Sequence, residues 1–106
     1  MSAYEVDAWA ALGDPTRRRI LQRLAQRPQS VTDLAAELPI SRPAVSQHLR
    51  VLKRACLVTD RPVGTRRIYE VDRDGLAALR RELDQLWGAT LDNFKRIAEQ
   101  AEQEQS

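Results

Sequence analysis

Among residue types that perform chemistry, the chain holds one histidine, His48, and one cysteine, Cys56. No Ser/His/Asp arrangement, glycine-rich phosphate loop or second thiol accompanies them, so an enzyme is not expected. A single cysteine also excludes an internal disulfide framework and a Cys-only metal cage within one chain. What the sequence does supply is hydrogen-bond donors suited to a polyanion. Ser41, Arg42, Ser46, Gln47, His48, Arg50, Lys53 and Arg54 fall within one stretch, which also sets Pro43 at the expected contact, and Arg61, Thr65, Arg66 and Arg67 follow in a second. Arginine offers guanine two parallel donors, and glutamine pairs a donor and an acceptor with adenine. Serine and lysine serve base edges or phosphates.

Charge is segregated in a way that the formal net value of +2 conceals. Residues 1–14 carry three acids and no base, and residues 15–27 carry five arginines and no acid. Residues 28–40 carry two acids, residues 41–73 eight bases against three acids, and residues 74–106 four bases against seven acids. A basic middle between acidic ends points to a polyanion-binding face, although any single cluster also reads as a solvated helix face. With 106 residues the chain is expected to be one domain, and 42% hydrophobic with 30% charged residues is a globular composition. No apolar run approaches the roughly 20 residues of a membrane span, and the acidic N-terminus lacks a signal-peptide pattern, so a cytoplasmic location without membrane contact is expected.

These donors need elements to hold them. Tyr4 to Leu12 reads as a short helix stopped by Gly13. Asp14-Pro15 begins a second, because Asp caps well and Pro suits the first turn; Ile20, Leu21 and Leu24 form its apolar stripe and Pro28 ends it. Ser30, with Asp33 as an imperfect capping box, opens a third helix that Pro39 stops. After the tight turn Pro39-Ile40-Ser41, Ser41 caps a fourth helix with Val45, Leu49 and Leu52 as its buried stripe. Strands follow at Leu57–Thr59 and Arg67–Val71, with Arg61 to Arg66 as a turn-rich basic tip. Asp72 then caps a last helix, to about residue 103, whose apolar residues recur every three or four positions from Leu76 to Ala101.

Two short helices joined by a tight turn, the second amphipathic and basic, make a helix-turn-helix at about 31–55, and the basic hairpin at about 57–71 makes it winged. The fold class is therefore mostly α with a small β-hairpin wing. The major groove admits one helix, so the second helix must bury one face and offer the other to base edges. At about 100° per residue, Gln47, Arg50 and Arg54 lie roughly opposite the buried stripe, with Pro43, and Arg42, Ser46 and Lys53 lie toward one flank. Ser41 turns the helix N-terminus, with its partial positive charge, toward a phosphate. His48 falls about 60° from the centre of the stripe, open to phosphate contact or to packing on the preceding helix, the commoner use.

The run Ala11-Leu12-Gly13-Asp14-Pro15-Thr16-Arg17-Arg18-Arg19-Ile20-Leu21, then Val31-Thr32-Asp33-Leu34-Ala35, then Ser41 to Leu52, then Leu57-Val58, and Gly64 to Tyr69 resembles the arsenic-repressor (ArsR/SmtB) family of bacterial transcription regulators. The resemblance covers roughly residues 8–90, and Ser-x-x-x-Val-Ser-x-His-Leu-x-x-Leu is its specific part. It implies a dimeric winged helix-turn-helix repressor that binds double-stranded operator DNA, with recognition helix 42–55, wing 57–71, and first and last helices paired across the dimer. Metal-sensing members place Cys-x-Cys before the turn; here that region reads Val31-Thr32-Asp33-Leu34. Others bind zinc at the last helix through Asp and His; here Asp84 and Asp92 stand without a histidine. No metal site and no cofactor is expected, and no residue set points to a particular small-molecule effector.

Assembly follows from size. Leu79, Leu83, Leu86, Trp87, Leu91, Phe94 and Ile97 on one helix of so small a chain leave an apolar patch that a second copy would bury, with Trp9 and Leu12 joining the seam. Trp9 and Trp87 need no role beyond that. Arg17-Arg18-Arg19 reads equally as DNA-backbone contact and as a solvated or paired run. Cys56, beside Lys53 and Arg54, reads as a buried structural cysteine, with a thiol sensor as the alternative. A winged-helix protein-interaction module is the competing function, and the basic surplus of residues 41–73 argues against it.

Overall fold

The computed structural model describes residues 7–105. In chain order these give α1 (Ala8–Ala11), α2 (Pro15–Gln26), β1 (Gln29–Ser30), α3 (Val31–Glu37), α4 (Arg42–Arg54), β2 (Val58–Val63), β3 (Arg66–Val71) and α5 (Arg73–Gln105). Two compact units are distinguished, one ending at Leu76 and one beginning at Ala77.

In the first unit the helix starts are built as the sequence implies. The Asp14 Oδ1 accepts from the backbone N–H groups of Thr16 at 2.8 Å and Arg17 at 3.1 Å, with Pro15 in the first turn. Ser30 and Asp33 form a complete capping box: Asp33 N donates to Ser30 Oγ at 3.2 Å and Ser30 N to Asp33 Oδ2 at 3.4 Å. Ile20, Leu34, Val45, Leu49, Leu52 and Leu57 fill the core and are fully buried. Of the expected first helix, Ala8–Ala11 is helical, with Asp7 as its cap and Leu12 closing it; Tyr4 to Val6 lie outside the described residues.

The β-structure differs from the expectation in two ways. Gln29 and Ser30 form a strand that pairs antiparallel with Tyr69 and Ile68, so the sheet has three strands in the order β1-β3-β2. Two residues between Pro28 and a helix are too short to show alternation. The hairpin is also longer than expected: β2 continues through Asp60, Arg61 and Pro62 to Val63, and the tip is only Gly64-Thr65. Gly64 has φ +62°, the arrangement of a two-residue turn with glycine first. Pro62, which suggested a loop, is tolerated because β2 is an edge strand.

The end of α4 carries the backbone strain of the unit. Cys56 has φ +61°. Its N–H donates to Lys53 O at 3.0 Å, and Leu57 N donates to Leu52 O at 3.0 Å, which together make a Schellman cap with Leu52 and Leu57 both fully buried. The Cys56 side chain is exposed, which corrects the expectation of a buried cysteine. Asp72 N donates to Leu57 O at 2.9 Å, and Asp72 Oδ1 accepts from Gly75 N at 3.0 Å, starting α5 directly against this turn.

In the second unit, helical from Ala77 to Gln105, Leu86, Trp87, Leu91, Phe94 and Ile97 are each more than half exposed, and Leu79 and Leu83 are partly covered. No helix among the described residues is long and apolar enough to cross a membrane.

Candidate nucleic-acid interface

The candidate site is the outer face of α4 together with the hairpin β2–β3, the expected wing. Ser41 Oγ accepts from Ala44 N at 3.3 Å, and Pro43 lies in the first turn, where its missing N–H costs no helix bond. Val45, Leu49 and Leu52 are fully buried. That burial fixes the helix rotation, so Arg42, Pro43, Gln47, Arg50, Lys53 and Arg54 are exposed while Ser46 and His48 are half-buried. Deleting a Leu from this stripe would cost about 2–5 kcal/mol, and the outward face would lose its aim with it.

The basic residues divide into two electrostatic classes. Arg42, Arg50 and Arg54, like the neutral Gln47 among them, make no hydrogen bond or ion pair with the described residues. The other basic residues are matched by carboxylates. Lys53 Nζ lies 2.8 Å from Asp60 Oδ1, and Arg67 Nη1 lies 3.0 Å from Asp60 Oδ2. Arg66 Nη2 donates to Ser30 Oγ at 2.6 Å and to Asp33 Oδ1 at 3.1 Å. Arg61 Nε lies 3.7 Å from Glu70 Oε1.

The hydrogen bond from Lys53 and that from Arg67 hold the Asp60 carboxyl below the usual aspartate value against the opposing effect of burial. The backbone N–H of Ser30, its hydroxyl and Arg66 do the same for Asp33. A groove of about 320 Å³ between α4 and the sheet is lined by Ser46, Leu49, Arg50, Lys53, Asp60 and Tyr69.

Most residues expected to meet DNA are thus brought to α4 and the wing, with Thr65 at the exposed tip. The arginine run after Asp14 has another use in part. Arg17 Nε donates to Ala11 O at 2.7 Å and Arg18 Nη1 to Leu12 O at 2.6 Å, closing the end of α1, while Arg19 is exposed. Asp33, Asp60 and Glu70 were missed as partners. The signal was the two-residue alternation of a strand: Asp60 shares a face with Tyr69 and Arg67, and Arg61 with Glu70. It could be read only once the hairpin register was known, and Pro62 hid that register.

Residues 14–60 match the model of the bacterial regulatory protein, arsR family. Over 99 residues, spanning 92% of both chains, the sequence is 56% identical to the HTH-type transcriptional regulator Rv2034 of Mycobacterium tuberculosis. The chain belongs to the ArsR family. A crystal structure described as a possible transcriptional regulator for arsenical resistance superposes on this ArsR-family chain with TM-score 0.71 and 49% identity, covering 77% of this chain and 85% of the other. The homodimeric winged helix-turn-helix DNA-binding domain of Mb0332 from Mycobacterium bovis does so with TM-score 0.62 and 29% identity, covering 74% of this chain and 73% of the other. The fold is a winged helix-turn-helix, and the protein is a DNA-binding transcriptional regulator, not an enzyme.

Proposed function

We propose that this ArsR-family regulator is a repressor that binds a palindromic operator as a homodimer, acting in the cytoplasm. The observation that carries the reading is the outer face of α4, where Gln47 and Arg50 are exposed and unpartnered among the described residues above a fully buried stripe. These two side chains read base edges. Arg42 and Arg54 neutralise phosphates, Ser41 and Ser46 support the helix entry, and His48 borders the contact. The wing, with Arg61, Thr65, Arg66 and Arg67, approaches the backbone or minor groove. The chain acts as one DNA-binding domain with a C-terminal dimerisation helix.

Dimerisation is supported by the exposed apolar face of Leu86, Trp87, Leu91, Phe94 and Ile97, beside the partly covered Leu79 and Leu83 of the same helix. Two recognition helices about 34–36 Å apart would read half-sites one helical turn apart. Operation without a metal is supported by the donor inventory. With one His and one Cys in the chain, neither the Cys-x-Cys pair nor the Asp/His set of metal-sensing relatives can be assembled. The test is duplex selection from a random pool, followed by Gln47→Ala and Arg50→Ala. Each should lose about 1–3 kcal/mol on the selected duplex and relax base preference at one position. Equal losses on selected and random DNA would refute base readout.

A further inference from the structure

The wing arginines and Lys53 could have been left free to meet phosphate, yet Asp60 binds two of them at once. Its side chain is 8% exposed, beneath Lys53 at 55% and Arg67 at 54%. The two cations come from different elements, Lys53 from α4 and Arg67 from β3, and their carboxylate contacts are 2.8 and 3.0 Å. Asp60 also lines the groove whose other wall carries Arg50. One buried anion therefore fixes the separation of the recognition helix from the wing and reduces two positive charges to a net one.

Taking the DNA-binding role of this face as given, we infer that Asp60 is a positioning residue that sets DNA specificity, holding Lys53 and Arg67 for operator contact while weakening attachment to DNA of any sequence. Non-specific binding is almost wholly phosphate attraction, so it scales with the positive charge that the face presents. Base contacts by Gln47 and Arg50 depend instead on aim. An anion at Asp60 lowers the first and preserves the second, which widens the ratio between them. The carboxylate is ionised throughout the neutral range, so the device is permanent.

The experiment compares the full-length protein with Asp60→Asn and Asp60→Glu. Fluorescence anisotropy is measured on a duplex selected by the wild type and on a scrambled duplex of equal length, across a salt series. For Asp60→Asn, affinity for the scrambled duplex should rise about three- to tenfold and its log K against log salt slope should steepen. Affinity for the selected duplex should stay level or fall, so the specificity ratio drops at least about threefold. Asp60→Glu, which keeps the charge, should retain the wild-type slope and so report on the inference even where Asp60→Asn folds poorly. A parallel loss on both duplexes with an unchanged slope would show a merely structural role and overturn the inference. So would a slope for Asp60→Glu as steep as that of Asp60→Asn. A wild type that does not discriminate between the duplexes would instead overturn the DNA-binding reading, and this inference with it.

Discussion

Gly75→Ala tests how tightly the wing is closed by the start of α5. A methyl carbon placed on Gly75 would lie 1.6 Å from the Cys56 carbonyl oxygen and 2.8 Å from its carbonyl carbon. Reaching even 3.0 Å requires a shift of about 1.4 Å in backbone, not in a flexible side chain. That shift pulls on four hydrogen bonds at once: Gly75 N to Asp72 Oδ1 at 3.0 Å, Asp72 N to Leu57 O at 2.9 Å, and the Schellman pair closing α4. Alanine gains about 1 kcal/mol over glycine in a helix, whereas overpacking of this severity costs about 1–3 kcal/mol or more. The lost cap adds about 0.5–2 kcal/mol. The expected net is a destabilisation of about 0.5–4 kcal/mol, read as a fall in urea midpoint at one fixed protein concentration, which also holds any dimer contribution constant. Gly88, with nothing within 4 Å of its added carbon, is the control for the helix-propensity gain. A Gly75→Ala protein as stable as the wild type would refute the close approach at this turn.

Cys56→Gly should stabilise the protein by about 1 kcal/mol, because a side chain at φ +61° is strained and glycine is not; an unchanged or lower melting temperature would contradict this. Hydrogen bonds and neighbouring cations hold Asp14, Asp33 and Asp60 below the ordinary value of 3.8 in the folded state. The unfolded chain therefore takes up protons first as the pH falls. The contribution of these groups is complete above about 3.8 and is lost as the pH drops through their folded values. Acid titration should show this loss, and Asp60→Asn should flatten it; an identical acid limb would remove Asp60 from the linkage. Phe94→Glu places a charge on the exposed apolar face of α5, and it should shift sedimentation from dimer to monomer at micromolar concentration and weaken operator binding. A variant that remains dimeric would place the seam elsewhere.

Much of the fold was legible because its signals are local. Asp14-Pro15, Ser30 with Asp33, and Ser41 mark helix starts by cap chemistry, and Val45, Leu49 and Leu52 fix the rotation of α4 by spacing alone. What escaped depended on pairing between distant residues. β1 exists because Gln29 and Ser30 meet Tyr69 and Ile68, and no two-residue segment announces that in its own sequence. Pro62 argued for a loop until its place on an edge strand was known. The same gap hid the carboxylate partners of Lys53, Arg61, Arg66 and Arg67, which made the whole cluster read as free positive charge. Cys56 shows the converse. Its residue type argued for burial, but it stands exposed in the turn that ends α4, at φ +61°.

Sequence-specific readout by the outer face of α4 is tested most directly by selecting duplexes from a random pool with the wild type and, in parallel, with Arg50→Ala. The wild type should enrich a palindrome with half-sites one helical turn apart, and Arg50→Ala should enrich the same palindrome with degeneracy at one position per half-site, where the wild type selects guanine. An unchanged motif from the variant, or no motif from the wild type, would contradict readout by this face.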